Sequence, residues 1–191
     1  MAARDQARWL SGNSSEKRPG CAALFYSRPG NHLTHRFPLI VDALARIHSR
    51  LCIIDGEPVD CDDNGIASFN LVCYRHHDEN IFLYAFDPIE LNGDDLRRDP
   101  LEGRKTTLEM MLSKAGPGIR FNEHMEGDGE TVFRHACKLR LEGIVSKCKD
   151  SPYRSGRSPD WLKFKNPGAP AVKREDPPLC DNEMCCEAAI R

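Results

Sequence analysis

LEGIVSKCKDSPYRSGRSPDWLKFK, residues 141–165, decides how this chain is read. It opens on a short apolar run, Ile144-Val145, set between Glu142 and Lys147. It closes on Trp161-Leu162-Lys163-Phe164-Lys165, which reads as a strand; strand side chains alternate with period two, so Lys163 and Lys165 share a face. Between the two lies a polar loop, Ser151 to Asp160, punctuated by Gly156 and two prolines. From Arg134 to Lys165 nine Lys/Arg stand against three Asp/Glu, a local positive field in a chain of net charge −2. A carboxylate among inward-pointing lysines is what a triphosphate and its cation need: the lysines neutralise phosphate and the carboxylate holds the metal. A solvated basic hairpin has the same composition, because Lys and Arg sit mostly at surfaces.

The 191 residues suffice for one sizeable domain, and a hydrophobic fraction of 40% is that of an ordinary globular protein. No apolar run approaches the length of a membrane span, and the first twenty residues lack the apolar core of a secretory signal. Nine scattered cysteines without an export signal are expected to be reduced thiols in the cytoplasm.

Working outward, residues 129–139 read as a helix with Val132, Phe133, Ala136 and Cys137 on its apolar face. Ile119–Phe121 is a short strand, and Leu101 to Ala115 a helix with paired charges. Ile81 to Leu91 is the strongest strand, with Leu83, Ala85 and Asp87 on one face and Phe82, Tyr84 and Phe86 on the other; Asn92-Gly93 then turns the chain. Residues 68–74 read as a short helix or turn, and His76 and His77 as solvated. Leu51–Ile54 is a buried strand, followed by Asp55-Gly56-Glu57, a short return strand and a turn at the acidic tip Asp62-Asp63-Asn64-Gly65. Asp55 and Glu57 end an apolar strand and are drawn towards the core. Pro58 lacks a backbone donor and is expected to weaken the pairing of its strand. A helix with one apolar face spans about Phe37 to His48, and residues 21–27 form a strand before the turn Arg28-Pro29-Gly30-Asn31. Residues 1–20 show no periodicity and read as irregular; residues 167–191 read as a Pro-rich tail ending in Cys180, Cys185 and Cys186, with no histidine nearby to complete a zinc site.

EGIVSK followed by WLKFK resembles motifs IV and V of the covalent nucleotidyltransferases, and the span SPYRSGRSPDWLK resembles more narrowly the ATP-dependent DNA ligases of bacteria. YSRPGN with LTHRFP, IIDGE, LYAFD and ELNGDDLRRDPLEGRK extend the resemblance over about residues 20–175. It implies an α+β adenylation domain, antiparallel sheets flanked by helices, over residues 21–166. It implies ATP and magnesium as cofactors and nicked double-stranded DNA as partner. Glu57 and Glu142 would hold metal and nucleotide, Phe86 would stack on adenine, Lys163 and Lys165 would bind phosphate, and Arg28 would lie near the nucleotide. In that family a lysine in a KxDG motif attacks the α-phosphate of ATP, and AMP then passes to the 5′-phosphate of a nick. These 191 residues contain no KxDG; the nearest lysine, Lys17 in EKRPG, does not match. The expectation is a domain incomplete at its N-terminus, truncated or frame-altered, with no OB-fold after motif V. Two functions stay open: a ligase defective in self-adenylation, able at most to seal a nick that already carries AMP, or an inert nucleotide- or DNA-binding remnant.

Overall fold

The computed structural model describes residues 5–10, 23–27, 30–61, 72, 80–139, 141, 143–156 and 158–168. Strand β1 is Asp5–Leu10 and β2 is Ala23–Tyr26; helix α1 is Pro38–Ala45; β3 is Leu51–Val59, β4 Phe82–Leu91 and β5 Asp94–Asp95. A short 3-10 turn, Leu96–Arg98, leads into α2, Leu101–Leu112. Then come β6, Ile119–Phe121; α3, Gly129–Lys138; β7, Gly143–Lys147; and β8, Trp161–Lys165. The large sheet runs β2-β1-β3-β4-β5, antiparallel throughout, with β6 added to β4 as a parallel neighbour. Strands β7 and β8 form a separate antiparallel pair.

The α+β class read from the sequence is the class observed, and apolar spacing accounts for how the layers meet. Phe37, Ile40, Leu44 and Ile47 recur every three or four residues, so α1 buries one stripe against the sheet. Pro38 starts this helix where an amide hydrogen has no partner to lose. The core joins these residues to Phe25, Ile54, Leu83, Ala85 and Ile119 from the sheet and Leu108 from α2. The rings of Phe25 and Phe37 meet edge to face at 5.4 Å. Asn92-Gly93 has positive φ at both residues, 55° and 101°, and closes a two-residue hairpin between β4 and β5.

Three expectations need correction. Asp5–Leu10 lies within the segment read as irregular, yet it pairs with β2 on one side and β3 on the other. Backbone amides and carbonyls need partners, and those partners come from distant strands, so the pairing leaves no period in the segment's own sequence. The strand does not end at Ile54 and no separate return strand follows Asp55-Gly56-Glu57: β3 runs unbroken for nine residues, Leu51–Val59. Gly56 is required by contact there, since a Cβ at this position would lie 2.7 Å from the Tyr84 carbonyl oxygen of β4. Pro58 and Pro88 lie within their strands, Pro58 opposite Leu83 and Pro88 opposite Ile54, with a shift in register beside Pro88. Helix α1 is also shorter than the periodicity predicts, ending at Ala45, although Ile47 beyond it is still buried. The acidic tip, residues 68–71 and 73–74, His76, His77 and the C-terminal cysteines lie outside the described residues. Among the described residues no helix is long and apolar enough to cross a membrane. The described cysteines, Cys52, Cys61, Cys137 and Cys148, are free thiols.

Candidate functional site

Phe86 sits at a break in the β3–β4 ladder. Asp55 pairs with Asp87 and Gly56 with Ala85, so Phe86 is the extra residue of a β-bulge. A bulge re-aims the side chain it frees. Phe86, only 6% exposed, lines a cavity of about 330 Å³ together with Lys105, Asn122, Val145 and Lys147. The other end of this cavity is formed by residues 123–127 and the start of α3. Asp128 fixes that start, its carboxylate accepting from the Thr131 amide at 3.0 Å.

The β7–β8 hairpin supplies the facing wall. Its register sets Lys147 beside Trp161, Val145 beside Lys163, and Gly143 beside Lys165, so these six residues share one face. The expectation that Lys163 and Lys165 share a face therefore holds, and both are exposed. Gly143 is required by contact, because a Cβ there would lie 2.0 Å from the Phe164 carbonyl oxygen. Phe164 packs the opposite face of the hairpin against Phe133 of α3, with ring centroids 6.0 Å apart. The Lys147 ammonium lies 4.4 Å from the Trp161 ring centre and 5.8 Å from that of Phe86. It thereby joins the hairpin to the bulge by attraction to two aromatic faces.

Acidic groups lie deeper. Asp55 and Glu57 are buried, as their place at the end of an apolar run predicts. Glu57 stands opposite Tyr84, two residues along β4 from Phe86. Asp55 and Asp87 are direct cross-strand neighbours, and two adjacent carboxylates repel. Each has a donor. Arg104 of α2 grips Asp87 with both forks, Nε to Oδ1 at 2.6 Å and Nη2 to Oδ2 at 3.1 Å. The Tyr153 hydroxyl donates to Asp55 Oδ2 at 2.9 Å.

Lys105 is nearly buried, donates to the Asn122 carbonyl at 2.6 Å and lies 4.7 Å from the Phe121 ring centre. Burial pushes its ammonium down to about 8, with the Asp87 charge opposing. At the cavity rim Lys149 pairs with Glu126 at 2.7 Å, and the lysine holds that carboxyl below its usual range.

The structure thus brings Phe86, Val145 and Lys147 to one cavity; Lys163 and Lys165 lie on the same hairpin face as Val145 and Lys147, and Glu57 on β3 lies opposite Tyr84, none of these three lining the cavity. Arg28 and Glu142 lie outside the described residues. Sequence reasoning missed Lys105, Arg104, Tyr153 and, as a wall of the site, Lys147. Lys147 was within reach, being two residues beyond Val145 in a strand; the other three act across distances no local pattern records. Among the described residues no three His, Cys, Asp or Glu cluster as a metal site. Hard carboxylate oxygens such as those of Glu57 are nevertheless the donor type magnesium takes.

The model of the ATP-dependent DNA ligase domain matches residues 17–165, more than half of the chain. The chain belongs to this family. It is 36% identical over 143 residues to the multifunctional non-homologous end joining protein LigD of Pseudomonas aeruginosa, covering 73% of this chain and 17% of that protein. The LigD of Mycolicibacterium smegmatis is 33% identical over 140 residues, again 73% of this chain and 18% of its own length. Among solved structures the ligase domain of Mycobacterium tuberculosis LigD superposes with a TM-score of 0.70 at 28% identity, covering 86% of this chain and 52% of that one. A mycobacterial DNA ligase D complexed with ATP and MES gives 0.69 at 27% identity, covering 86% and 51%. The chain therefore spans less than a fifth of these LigD proteins and about half of the ligase domain. The nucleotidyltransferase fold expected from EGIVSK and WLKFK is the fold of these neighbours.

Proposed function

We propose that residues 21–166, with β1, form the nucleotide-binding part of an ATP-dependent DNA ligase whose partner is nicked double-stranded DNA and whose compartment is the cytoplasm. The observation that carries this is Phe86: a bulge presents its ring to a cavity of about 330 Å³, with a lysine-bearing hairpin face opposite. A nucleobase fits between an aromatic ring and aliphatic Val145, and the adjoining Lys163 and Lys165 meet the phosphates that follow the sugar. Arg28 assists on the phosphate side. Glu57 with Glu142 would hold magnesium, which when bound supplies neutralisation of phosphate charge. In such a ligase AMP passes through a lysine to the 5′-phosphate of a nick, and the 3′-hydroxyl then displaces it.

The absence of KxDG favours a restriction on this reading: these 191 residues bind ATP but do not adenylate themselves. They act at most on a nick that already carries AMP, and an inert remnant is the limiting case. Calorimetric titration with ATP tests the binding. Phe86→Ala is expected to weaken both adenosine and ATP roughly tenfold, the scale of one lost aromatic stack. Lys163→Ala is expected to weaken ATP and spare adenosine. ATP affinity unchanged in both variants sinks the assignment of the site. Intact-protein mass after incubation with ATP and magnesium tests the restriction: a gain of one AMP on a lysine overturns it.

A further inference from the structure

Tyr153 lies in the segment that joins β7 to β8, remote in sequence from the sheet it touches. The hairpin packs chiefly on itself and on α3. Polar bonds from the joining segment tie it to the large sheet and to α2. The Tyr153 amide donates to the Arg97 carbonyl at 2.8 Å, and Arg104 Nη1 donates to the Ser151 carbonyl at 3.0 Å. The Tyr153 hydroxyl donates to Asp55 on β3 across 98 positions of sequence. Its ring meets Trp161 edge to face at 5.9 Å, Trp161 lies under the Lys147 ammonium, and that ammonium faces Phe86. A closed path therefore runs from Asp55 through Tyr153, Trp161 and Lys147 to Phe86 on β4. Trp161 and Lys163 are alternate residues on the same strand face. Whatever fixes the Trp161 ring fixes where Lys163 stands relative to Phe86.

We infer that Tyr153 is a positioning residue for the phosphate half of the site: its hydroxyl on Asp55 and its ring on Trp161 hold the lysine face of β8 at a set distance from Phe86. The inference rests on the proposed ATP site. Its mechanism is pre-organisation, since a hairpin already held in place loses less freedom when phosphate binds. Removal of the hydroxyl takes one donor from a buried carboxylate and loosens the joining segment, while Phe86 stays with the large sheet.

The test is the gain in affinity along adenosine, AMP, ADP and ATP, measured by calorimetry on the 191-residue chain and on Tyr153→Phe. A residue that only supports the fold weakens every ligand alike or lowers Tm alone. A positioning residue leaves adenosine within about twofold and weakens ATP by roughly five- to tenfold, the scale of one ordinary hydrogen bond. Asp55→Asn keeps an acceptor for the hydroxyl, so the gain along the series is expected to survive in it. Equal weakening of adenosine and ATP in Tyr153→Phe overturns the inference, as does an unchanged series, or a Tyr153→Phe chain that is unfolded at low temperature by circular dichroism. Loss of the gain in Asp55→Asn with Tyr153 intact also overturns it. Wild-type chain that binds neither adenosine nor ATP fails the nucleotide-site reading itself, and the inference with it; wild-type binding with an unchanged variant fails the inference alone.

Discussion

Replacing Lys105 by Met is expected to change how stability depends on pH, with a sign fixed by the burial of the amine. In the folded chain the ammonium titrates near 8 against an ordinary 10.5. Between these values the unfolded chain holds a proton that the folded chain has released. Stability therefore rises with pH across the window from about 8 to 10.5, because the unfolded state binds more protons there. Below pH 8 both states are charged and the full cost of burying the ammonium remains. Integrated from pH 7 to pH 10, wild type should gain about 2.5 kcal/mol relative to Lys105→Met, in which this group is absent. Met is similar in length and leaves the cavity wall apolar, so the other titrating groups cancel in the difference. The assay is urea unfolding of both chains at pH 7, 8, 9 and 10 with matched m-values. A difference between the two that stays flat within 0.5 kcal/mol, an order-of-magnitude margin for such extrapolations, would show that Lys105 is hydrated and would refute the burial argument.

Arg104→Met should cost about 3 to 5 kcal/mol in the same unfolding assay, because it strands the Asp87 carboxylate beside Asp55 in a water-free layer; a loss below about 1 kcal/mol would mean that water reaches the pair. Gly143→Ala should separate β7 from β8, since its Cβ would fall 2.0 Å from the Phe164 carbonyl oxygen. In that variant ATP is expected to lose its advantage over adenosine, and hydrogen exchange should speed up in residues 143–147 and 161–165 while β3 and β4 stay protected. Fast exchange throughout would show that the hairpin and the large sheet unfold as one unit.

Much of the fold was legible because its signals are local. The aromatic and aliphatic run of Phe82–Leu91, the three-and-four spacing from Phe37 to Ile47 and the Asn92-Gly93 pair each fix an element from its own residues. The same holds for WLKFK, whose period of two puts both lysines on one face before any fold is known. Strand β1 was not legible, because its hydrogen bonds belong to β2 and β3. The end of the strand at Ile54 misled because the apolar run stops there, whereas β3 continues through Asp55-Gly56-Glu57 to Val59. Here the glycine answers the approach of a neighbouring strand, a demand that exists only once β4 is in place.

By itself, then, the sequence determined most of the element types and the family, since these depend on side chains within a few positions of each other. Tertiary structure decided which residues meet. It placed the bulge that frees Phe86, the burial that lowers the proton affinity of Lys105, the grip of Arg104 on Asp87 and the reach of Tyr153 to Asp55. Each of these depends on desolvation or on a contact between chain segments far apart in sequence, and neither exists until the layers have packed.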